Sequence, residues 1–173
     1  MFKLELDLAS IAALAEEREE ENLAFRAFLK ERSGSEVDAV VKRLNTSISA
    51  EINCTACGNC CSSLMVSITP KEKFLFASHF NLPQQEAEEK YLSTSMDGNA
   101  IMCNMPCVFL YEKKCTVYEK RFADCRDFPH LDKDGFTERL YSVLRNYGMC
   151  PIVFNVVEAL KGELSFKDGV HCV

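Results

Sequence analysis

The stretch CTACGNCC, residues 54–61, contains four of the ten cysteines of the chain. The pairs Cys54–Cys57 and Cys57–Cys60 have the spacing at which two thiolates can turn toward one metal centre while nearby backbone N–H groups donate to the sulfurs. Gly58 permits a tight turn between them. Because the neighbours are small or polar and show no helical periodicity, residues 53–63 are predicted to form a loop that something other than an apolar core must shape.

The adjacent side chains of Cys60 and Cys61 are expected to diverge, so one of the two should serve a different centre or none. The first three cysteines match the C-x2-C-x2-C part of the bacterial ferredoxin run, in which a Cys-Pro cysteine belongs to the other cluster. The only Cys-Pro pair is Cys150-Pro151. The resulting hypothesis has two sites, one formed by Cys54, Cys57, Cys60 and Cys150, and a second formed by Cys61, Cys107, Cys115 and Cys125. An exchange of Cys60 with Cys61 stays open.

The other cysteines and the histidines are weaker candidates. Cys103 and Cys172 lack a partner at ligand spacing and are expected not to bind metal. His79 fits a helical pattern, His130 follows the last cysteines of the 107–125 group, and His171 would require the terminus to fold back. Because thiolates are ample, no imidazole ligand is needed.

Arg121 and Arg126 lie on either side of Cys125. Two roles are open for them: ion pairing with Glu119 or Asp124, or offsetting the negative charge of a tetrathiolate centre or binding an anionic partner group. Neighbouring Tyr118 is expected to contribute packing and not chemistry.

Composition restricts the partners. The chain has 20 Lys and Arg against 26 Asp and Glu, a net charge of -6, and no basic block, so no nucleic-acid partner is expected. Acidic residues interrupt every apolar stretch near the start, and nothing later approaches ~18 apolar residues, so neither a secretory leader nor a membrane span is expected. We therefore expect a cytoplasmic protein, whose clustered thiols are reduced and hold metal. A protein partner is possible, and the oligomeric state is undetermined.

Apolar periodicity and turn residues predict a small α+β fold, mainly α with short β pieces, as one domain organised around the cysteine-rich region. Three segments of one structural unit are expected: an N-terminal helix in residues 1–34, a cysteine-cluster metal-binding domain in 35–161 and a tail in 162–173. The predicted helices are 7–32, 35–49 with Ser35 and Asp38 at its cap, 69–80 with Thr69 as cap, 83–92, 137–146 and 150–161, and the predicted strands are 64–68 and 100–102.

The chain resembles the CxxCxxCC zinc- or iron-chelating family, also called YkgJ-like cysteine-cluster proteins. The matching pieces are residues 52–61, Pro106 to Leu110, Cys115 to Glu119, Arg121, Cys125 to Pro129, and Cys150-Pro151. Two departures, Val108 and Phe122 at positions where the family has proline, change turn rigidity and not a presumed ligand. The resemblance implies a metal-binding protein.

The metal implied is zinc or an iron–sulfur cluster (4Fe-4S), with its identity undecided, in a structural or redox role. Ferredoxin-like spacing favours iron, whereas the dispersed second group of cysteines permits zinc held by four thiolates. Two alternatives stay open. Flagellin lysine N-methylases are similar around their cysteine motif, which allows a cluster-dependent enzyme, although no Gly-rich nucleotide loop or His-Glu-x-x-His helix is present. The other alternative is metal storage or delivery, with exchangeable binding.

Overall fold

A computed structural model describes residues 3–96, 98–102 and 104–167. Its contacts divide the chain into two compact units. The helical unit comprises Met1–Asn53 and Pro129–Val173, and the cysteine unit comprises Cys54–Phe128. The three segments expected from sequence end at residues 34 and 161 instead, and they remain a prediction.

The described residues form mainly helices and small antiparallel sheets, as the sequence predicted. The α-helices are α1 (Leu8–Glu17), α2 (Glu19–Lys30), α3 (Gly34–Glu51), α4 (Cys54–Cys57), α5 (Asn59–Ser63), α6 (Lys73–Ser78), α7 (Gln84–Tyr91), α8 (Ala123–Asp127), α9 (Phe136–Leu144) and α10 (Pro151–Glu163). The strands are β1 (Val66–Ile68), β2 (Leu92–Thr94), β3 (Ala100–Met102), β4 (Leu110–Tyr111) and β5 (Lys114–Cys115), and a 3-10 helix spans Tyr118–Lys120.

The helical unit surrounds α10. This helix is apolar over most of its circumference, and Val153, Val156, Val157 and Leu160 are fully buried. A helix that is hydrophobic all round must be covered on all sides. Helices α1 and α3 pack against α10, and α2 and α3 pack against α9. The core of this unit therefore lies along α10.

The prediction of one helix over residues 7–32 is wrong, because the helix is interrupted at Arg18. The Arg18 backbone adopts φ −101° and ψ 18°, while its guanidinium forms an ion pair with Glu158 in α10. The break separates α1, which packs on α10, from α2, which packs on α9. The apolar stripe continues through both helices, so the periodicity of the sequence could not reveal a break at a single residue. The break allows the two helices to pack on different partners.

Asp38 does not help to open α3 as predicted. That helix begins at Gly34 after Ser33, which makes no capping hydrogen bond with its side chain. The Asp38 carboxylate instead accepts the backbone N–H groups of Gly135 and Phe136, both at 2.9 Å. These groups lie at the start of α9, whose first N–H groups lack intrahelical partners. The local capping pattern of the sequence assigned the Asp38 carboxylate to the start of α3, whereas it binds the start of α9.

The cysteine unit contains two small sheets. The first sheet has the strand order β1-β3-β2, and Met102 in the central strand β3 pairs with Val66 in β1 and with Leu92 in β2. The second sheet is the β4–β5 hairpin. The aromatic core beside them consists of Phe76, Phe109 and Phe122, with the partly buried rings of Phe80 and Tyr91. Phe76 is the centre of this group, with ring centroids 5.2–6.2 Å from those of the other four.

The predicted start of the third helix is also wrong. Helix α6 begins at Lys73, and Thr69 is not its cap. The Thr69 backbone N–H and hydroxyl both donate to Glu72, at 3.1 and 2.7 Å, and Glu72 also accepts the Ala123 N–H at 2.7 Å. The carboxylate thus joins the turn before α6 to the start of α8, a long-range link without a sequence signature. The remaining predicted helices and strands are confirmed, within a few residues of their predicted ends.

Candidate metal centre

Segment 54–61 is not the loop that the sequence predicted. It forms two helical turns, α4 and α5, separated by Gly58. Gly58 has φ +62°, and a Cβ placed there would lie 2.6 Å from the carbonyl oxygen of Lys113. Glycine is therefore required both by the left-handed backbone and by the close approach of the β4–β5 turn. Short helical turns leave no periodicity to detect, so the sequence could not distinguish them from a loop.

The β4–β5 turn that contacts Gly58 is itself unusual. Glu112 and Lys113 both have left-handed backbone, with φ of 45° and 64°. Two-residue hairpin turns of this kind normally use Asn-Gly or Asp-Gly, so the residue types gave no hairpin signal. The turn brings the Lys113 carbonyl against Gly58 and places α4 beside β5, in which Cys115 is the last residue. Sequence reasoning missed this contact, which brings two groups of cysteines together.

A backbone hydrogen bond makes the second link between the groups. The N–H of Cys107 donates to the carbonyl oxygen of Cys61 at 2.8 Å. Seven of the eight predicted ligand cysteines lie in the cysteine unit, and Cys150 lies in the helical unit as the buried N-cap of α10. No disulfide joins these eight residues, and Cys103, Cys172 and His171 lie outside the described residues.

The thiol of Cys61 has several cysteine neighbours. As a thiolate, Cys61 would repel the thiolates of Cys54, Cys107, Cys115 and Cys125. The Cys61 thiol also shares a hydrogen bond with the Cys60 thiol. This hydrogen bond and burial together raise the pKa of Cys61 far above its ordinary value. Cys61 therefore has electrostatic neighbours in both hypothetical sites, and these interactions do not decide between one centre and two.

The expected divergence of the Cys60 and Cys61 side chains is wrong, because their thiols hydrogen-bond to each other. Both residues lie in α5, where successive side chains point about 100° apart instead of to opposite sides as in a strand. The reason for assigning the two cysteines to different centres therefore fails. The two-site partition itself remains a prediction.

The three cysteines near the aromatic core are electrostatically alike. Burial raises the pKa of Cys107, Cys115 and Cys125, and their cysteine neighbours add to the effect, so that the pKa of Cys125 reaches about 12. All three pack against the core that contains Phe109 and Phe122. Such thiols resist ionisation unless a cation is present, and a coordinating metal deprotonates a thiol outright.

Backbone groups already face two of the sulfurs. The backbone of Phe109 lowers the pKa of Cys107 and that of Val117 lowers the pKa of Cys115, while the Leu110 N–H donates to the Cys107 carbonyl oxygen at 2.9 Å. The interactions with Phe109 and Val117 favour the thiolate form, and hydrogen bonds to sulfur are a regular part of metal–thiolate sites. Within the described residues, no three His, Cys, Asp or Glu side chains converge in metal-binding geometry. The donor set is soft and thiol-rich, which suits zinc or iron–sulfur chemistry.

The structure describes the surroundings of two of the three histidines. The ring of His79 packs against Phe109 and Phe122, with centroids 5.4 and 6.0 Å away. Burial lowers the pKa of His79, although a hydrogen bond to the Lys120 backbone opposes this shift. His130 lies in the helical unit, where its carbonyl oxygen accepts a hydrogen bond from Arg139 at 3.0 Å.

A family model matches residues 53–143, more than half of the chain, and is described as CxxCxxCC, "Putative zinc- or iron-chelating domain". The protein belongs to this family. No curated protein and no solved structure gives a significant match to the chain. Among the described residues, no helix combines the length and apolar character needed to cross a bilayer.

Proposed function

We propose that the protein is a cytoplasmic metal-binding protein whose cysteine unit holds zinc or an iron–sulfur cluster through thiolates. Its centre has a structural or redox role and acts through a partner protein. The metal is bound by Cys54, Cys57, Cys60, Cys61, Cys107, Cys115 and Cys125, with Cys150 as a further candidate. The proposal goes beyond the family description in naming these ligands, the form of the metal and its role.

The observation that carries the proposal is the position of Cys61 among the other thiols. It is bonded through backbone to Cys107 and through its thiol to Cys60, and its charge acts on Cys115 and Cys125. A group of partly buried thiols that raise one another's pKa is costly as thiolates without a cation. A bound metal removes this cost, because its charge compensates several thiolates at once.

Metal analysis of anaerobically purified protein tests the proposal directly. We expect stoichiometric metal, either as iron with sulfide and broad absorption near ~400 nm or as tightly held zinc in colourless protein. Fully folded, stable protein that is free of metal after anaerobic purification would refute the proposal. Rapid exchange of the metal with a weak chelator would instead favour storage or delivery.

Serine variants separate ligands from bystanders. Cys61→Ser, Cys107→Ser, Cys115→Ser and Cys125→Ser should each reduce the metal content sharply, because a missing thiolate leaves the centre undercoordinated. Cys103→Ser and Cys172→Ser are the controls and should retain the metal. If the two groups of variants contained equal amounts of metal, the assignment of these four cysteines as ligands would be wrong.

The adjacent pair decides between one centre and two. If Cys60→Ser and Cys61→Ser abolish all bound metal with the same spectrum, the thiols around Cys61 form one shared centre. If the two variants deplete different centres, the partition predicted from the sequence is correct. Metal-to-protein ratios and spectra of anaerobic samples distinguish these results.

A further inference from the structure

The short helix α8 contains Cys125, one of the proposed ligands, but its own sequence does little to hold it in place. The helix spans 5 residues, and Phe122 at its N-cap makes no capping hydrogen bond with its side chain. A helix this short is unstable alone, and its first N–H groups have no partner within the helix. The position of Cys125 therefore depends on the contacts of α8 with other segments of the cysteine unit.

One contact joins the start of α8 to the turn before α6. The Ala123 N–H donates to Glu72 Oε1 at 2.7 Å. The second carboxylate oxygen, Oε2, accepts the Thr69 N–H at 3.1 Å and the Thr69 hydroxyl at 2.7 Å. Although burial opposes the shift, the hydrogen bonds from Ala123 and Thr69 hold the pKa of Glu72 below its usual value. An ionised carboxylate from another segment thus supplies the cap that α8 lacks in its own sequence.

A second contact runs in the opposite direction, from α8 to strand β1. Asp124 Oδ2 accepts the N–H of Ser67 at 2.9 Å. Strand β1 lies at one end of the order β1-β3-β2, where a strand has backbone groups that its sheet does not pair. Each segment therefore supplies a carboxylate to a backbone N–H of the other. We call these two hydrogen bonds, from Ala123 to Glu72 and from Ser67 to Asp124, the carboxylate clamp.

The aromatic core holds the same end of α8 by a less directional interaction. Phe122 is buried, and its ring centroid lies 5.8 Å from that of Phe76 and 6.2 Å from that of Phe109. Cys125 packs partly buried against this core. Apolar packing is non-directional, whereas hydrogen bonds weaken steeply when they are misaligned. Because successive helical residues point about 100° apart, a rotation of α8 that broke the clamp would also redirect the Cys125 thiol.

We propose that Glu72 and Asp124 are positioning residues that orient Cys125 as a ligand of the thiolate centre. This inference rests on the proposed function of the same site. Both carboxylates act on the metal only through the placement of α8, and neither is a ligand. Metal sites need ligands held within about 0.5 Å of their productive positions, and surrounding hydrogen bonds supply that precision. The clamp gives Cys125 this support from β1 and from the turn before α6.

The experiment is competition for Zn²⁺ between a chromogenic chelator and the reduced full chain under anaerobic conditions. Glu72→Ala and Asp124→Ala should each weaken zinc binding about 10-fold, the lower range for loss of a group that orients a metal ligand. Asp124→Asn retains an oxygen that accepts the Ser67 N–H and should bind within about threefold of the parent. Glu119→Ala, which removes an exposed carboxylate from the preceding 3-10 helix, is the control and should bind as the parent does. If the parent is isolated with iron and sulfide, the iron content of the same variants is measured instead.

Alkylation of the zinc-loaded protein with iodoacetamide separates positioning from a general loss of structure. A thiolate bound to metal is protected, and peptide mass spectrometry reports the reaction of each cysteine separately. In Asp124→Ala, Cys125 should react faster than in the parent, because its thiol no longer stays on the metal. Cys107, which is bonded through backbone to Cys61, should react at the parent rate.

The results separate the two proposals. If the parent protein binds no zinc and carries no other metal when isolated, the proposed function fails. If the parent binds zinc and an alanine variant binds it equally well, only the role of that carboxylate is overturned. Equal losses in Asp124→Ala and Asp124→Asn, or faster alkylation of all cysteines alike, would also overturn the clamp. Circular dichroism shows whether each zinc-loaded variant folds, and an alanine variant that stays unfolded with zinc would contradict a role specific to Cys125.

Discussion

The two units of this protein are stabilised by different means. In the helical unit, α3 spans 18 residues and α10 spans 13, and most residues of α10 are buried. In the described part of the cysteine unit, no helix exceeds 8 residues and no strand exceeds 3. Elements this short gain little from their own hydrogen bonds and require an additional constraint. A metal bound by the clustered cysteines would supply such a constraint in this unit.

The two units also differ in how the charges of their side chains are compensated. In the helical unit, the ammonium group of Lys161 is buried between Glu158 and Glu21, at 2.8 and 3.0 Å. Glu158 also accepts the Tyr147 hydroxyl at 2.6 Å, and burial raises the pKa of Tyr147 well above its usual range. These charges are compensated by residues of the same unit. The thiols of the cysteine unit repel one another as thiolates, and the positive charge of Arg121 opposes the rise in pKa that burial causes at Cys54 and Cys115.

Removal of metal should have the largest effect and should distinguish the units. Binding free energy at a thiolate site becomes folding free energy, on the order of 10 kcal/mol for structural zinc. Chelation under reducing conditions should therefore lower the melting temperature and abolish hydrogen-exchange protection in residues 54–128. Protection in α3 and α10 should largely persist. Unchanged protection throughout the chain would show that the metal is peripheral.

Two matched core truncations should separate stability from metal binding. Phe76 and Phe25 are both fully buried, one in each unit. Either Phe→Ala change should destabilise its unit by about 3–5 kcal/mol because it leaves a cavity. Only Phe76→Ala should also lower the metal content, because Phe76 contacts Phe109 and Phe122, which pack with Cys107 and Cys125. Metal analysis and denaturant unfolding would measure both effects, and equal metal loss in both variants would contradict this distinction.

Loss of the buried cation should affect stability alone. Lys161→Met leaves Glu158 and Glu21 with less compensation and should destabilise the helical unit by about 3 kcal/mol. Lys42→Met is the control, because its ion pair with Asp134 is exposed and should contribute less than about 1 kcal/mol. Urea unfolding of both variants tests the difference. Metal content should equal that of the parent in both, and a loss in Lys161→Met would link the buried cation to the centre.

The smallest expected effect concerns the turn between the first cysteines. Gly58→Ala places a methyl group against the Lys113 carbonyl and also strains a left-handed residue, and should cost about 2 kcal/mol. Gly98→Ala is a close control, because Gly98 has φ +84° but no atom within 4 Å of the added Cβ. It should cost about 1 kcal/mol from backbone strain alone. The metal content should fall only in Gly58→Ala, and an equal effect of the two changes would show that the Lys113 contact is unimportant.

The sequence by itself was enough to predict the fold class and most of the helices and to recognise the family. Apolar periodicity located α3, α9 and α10 because their buried faces repeat along one helix. The spacing of residues 54–61 and the pieces up to Cys150-Pro151 were enough to recognise the CxxCxxCC family, because these patterns are local. The break at Arg18 and the true partner of Asp38 were not predictable, because both depend on residues more than ninety positions away.

Only the tertiary structure decided which cysteines are neighbours. Spacing placed Cys60 and Cys61 in divergent positions, whereas the helical turn of α5 lets their thiols meet. The contact of Gly58 with Lys113 has no local signature, because the Glu112–Lys113 turn uses residues that rarely form one. The sequence determines which ligand atoms are available, since thiol chemistry is fixed by residue type. Their grouping around Cys61 depends on backbone contacts that form only when distant segments pack together.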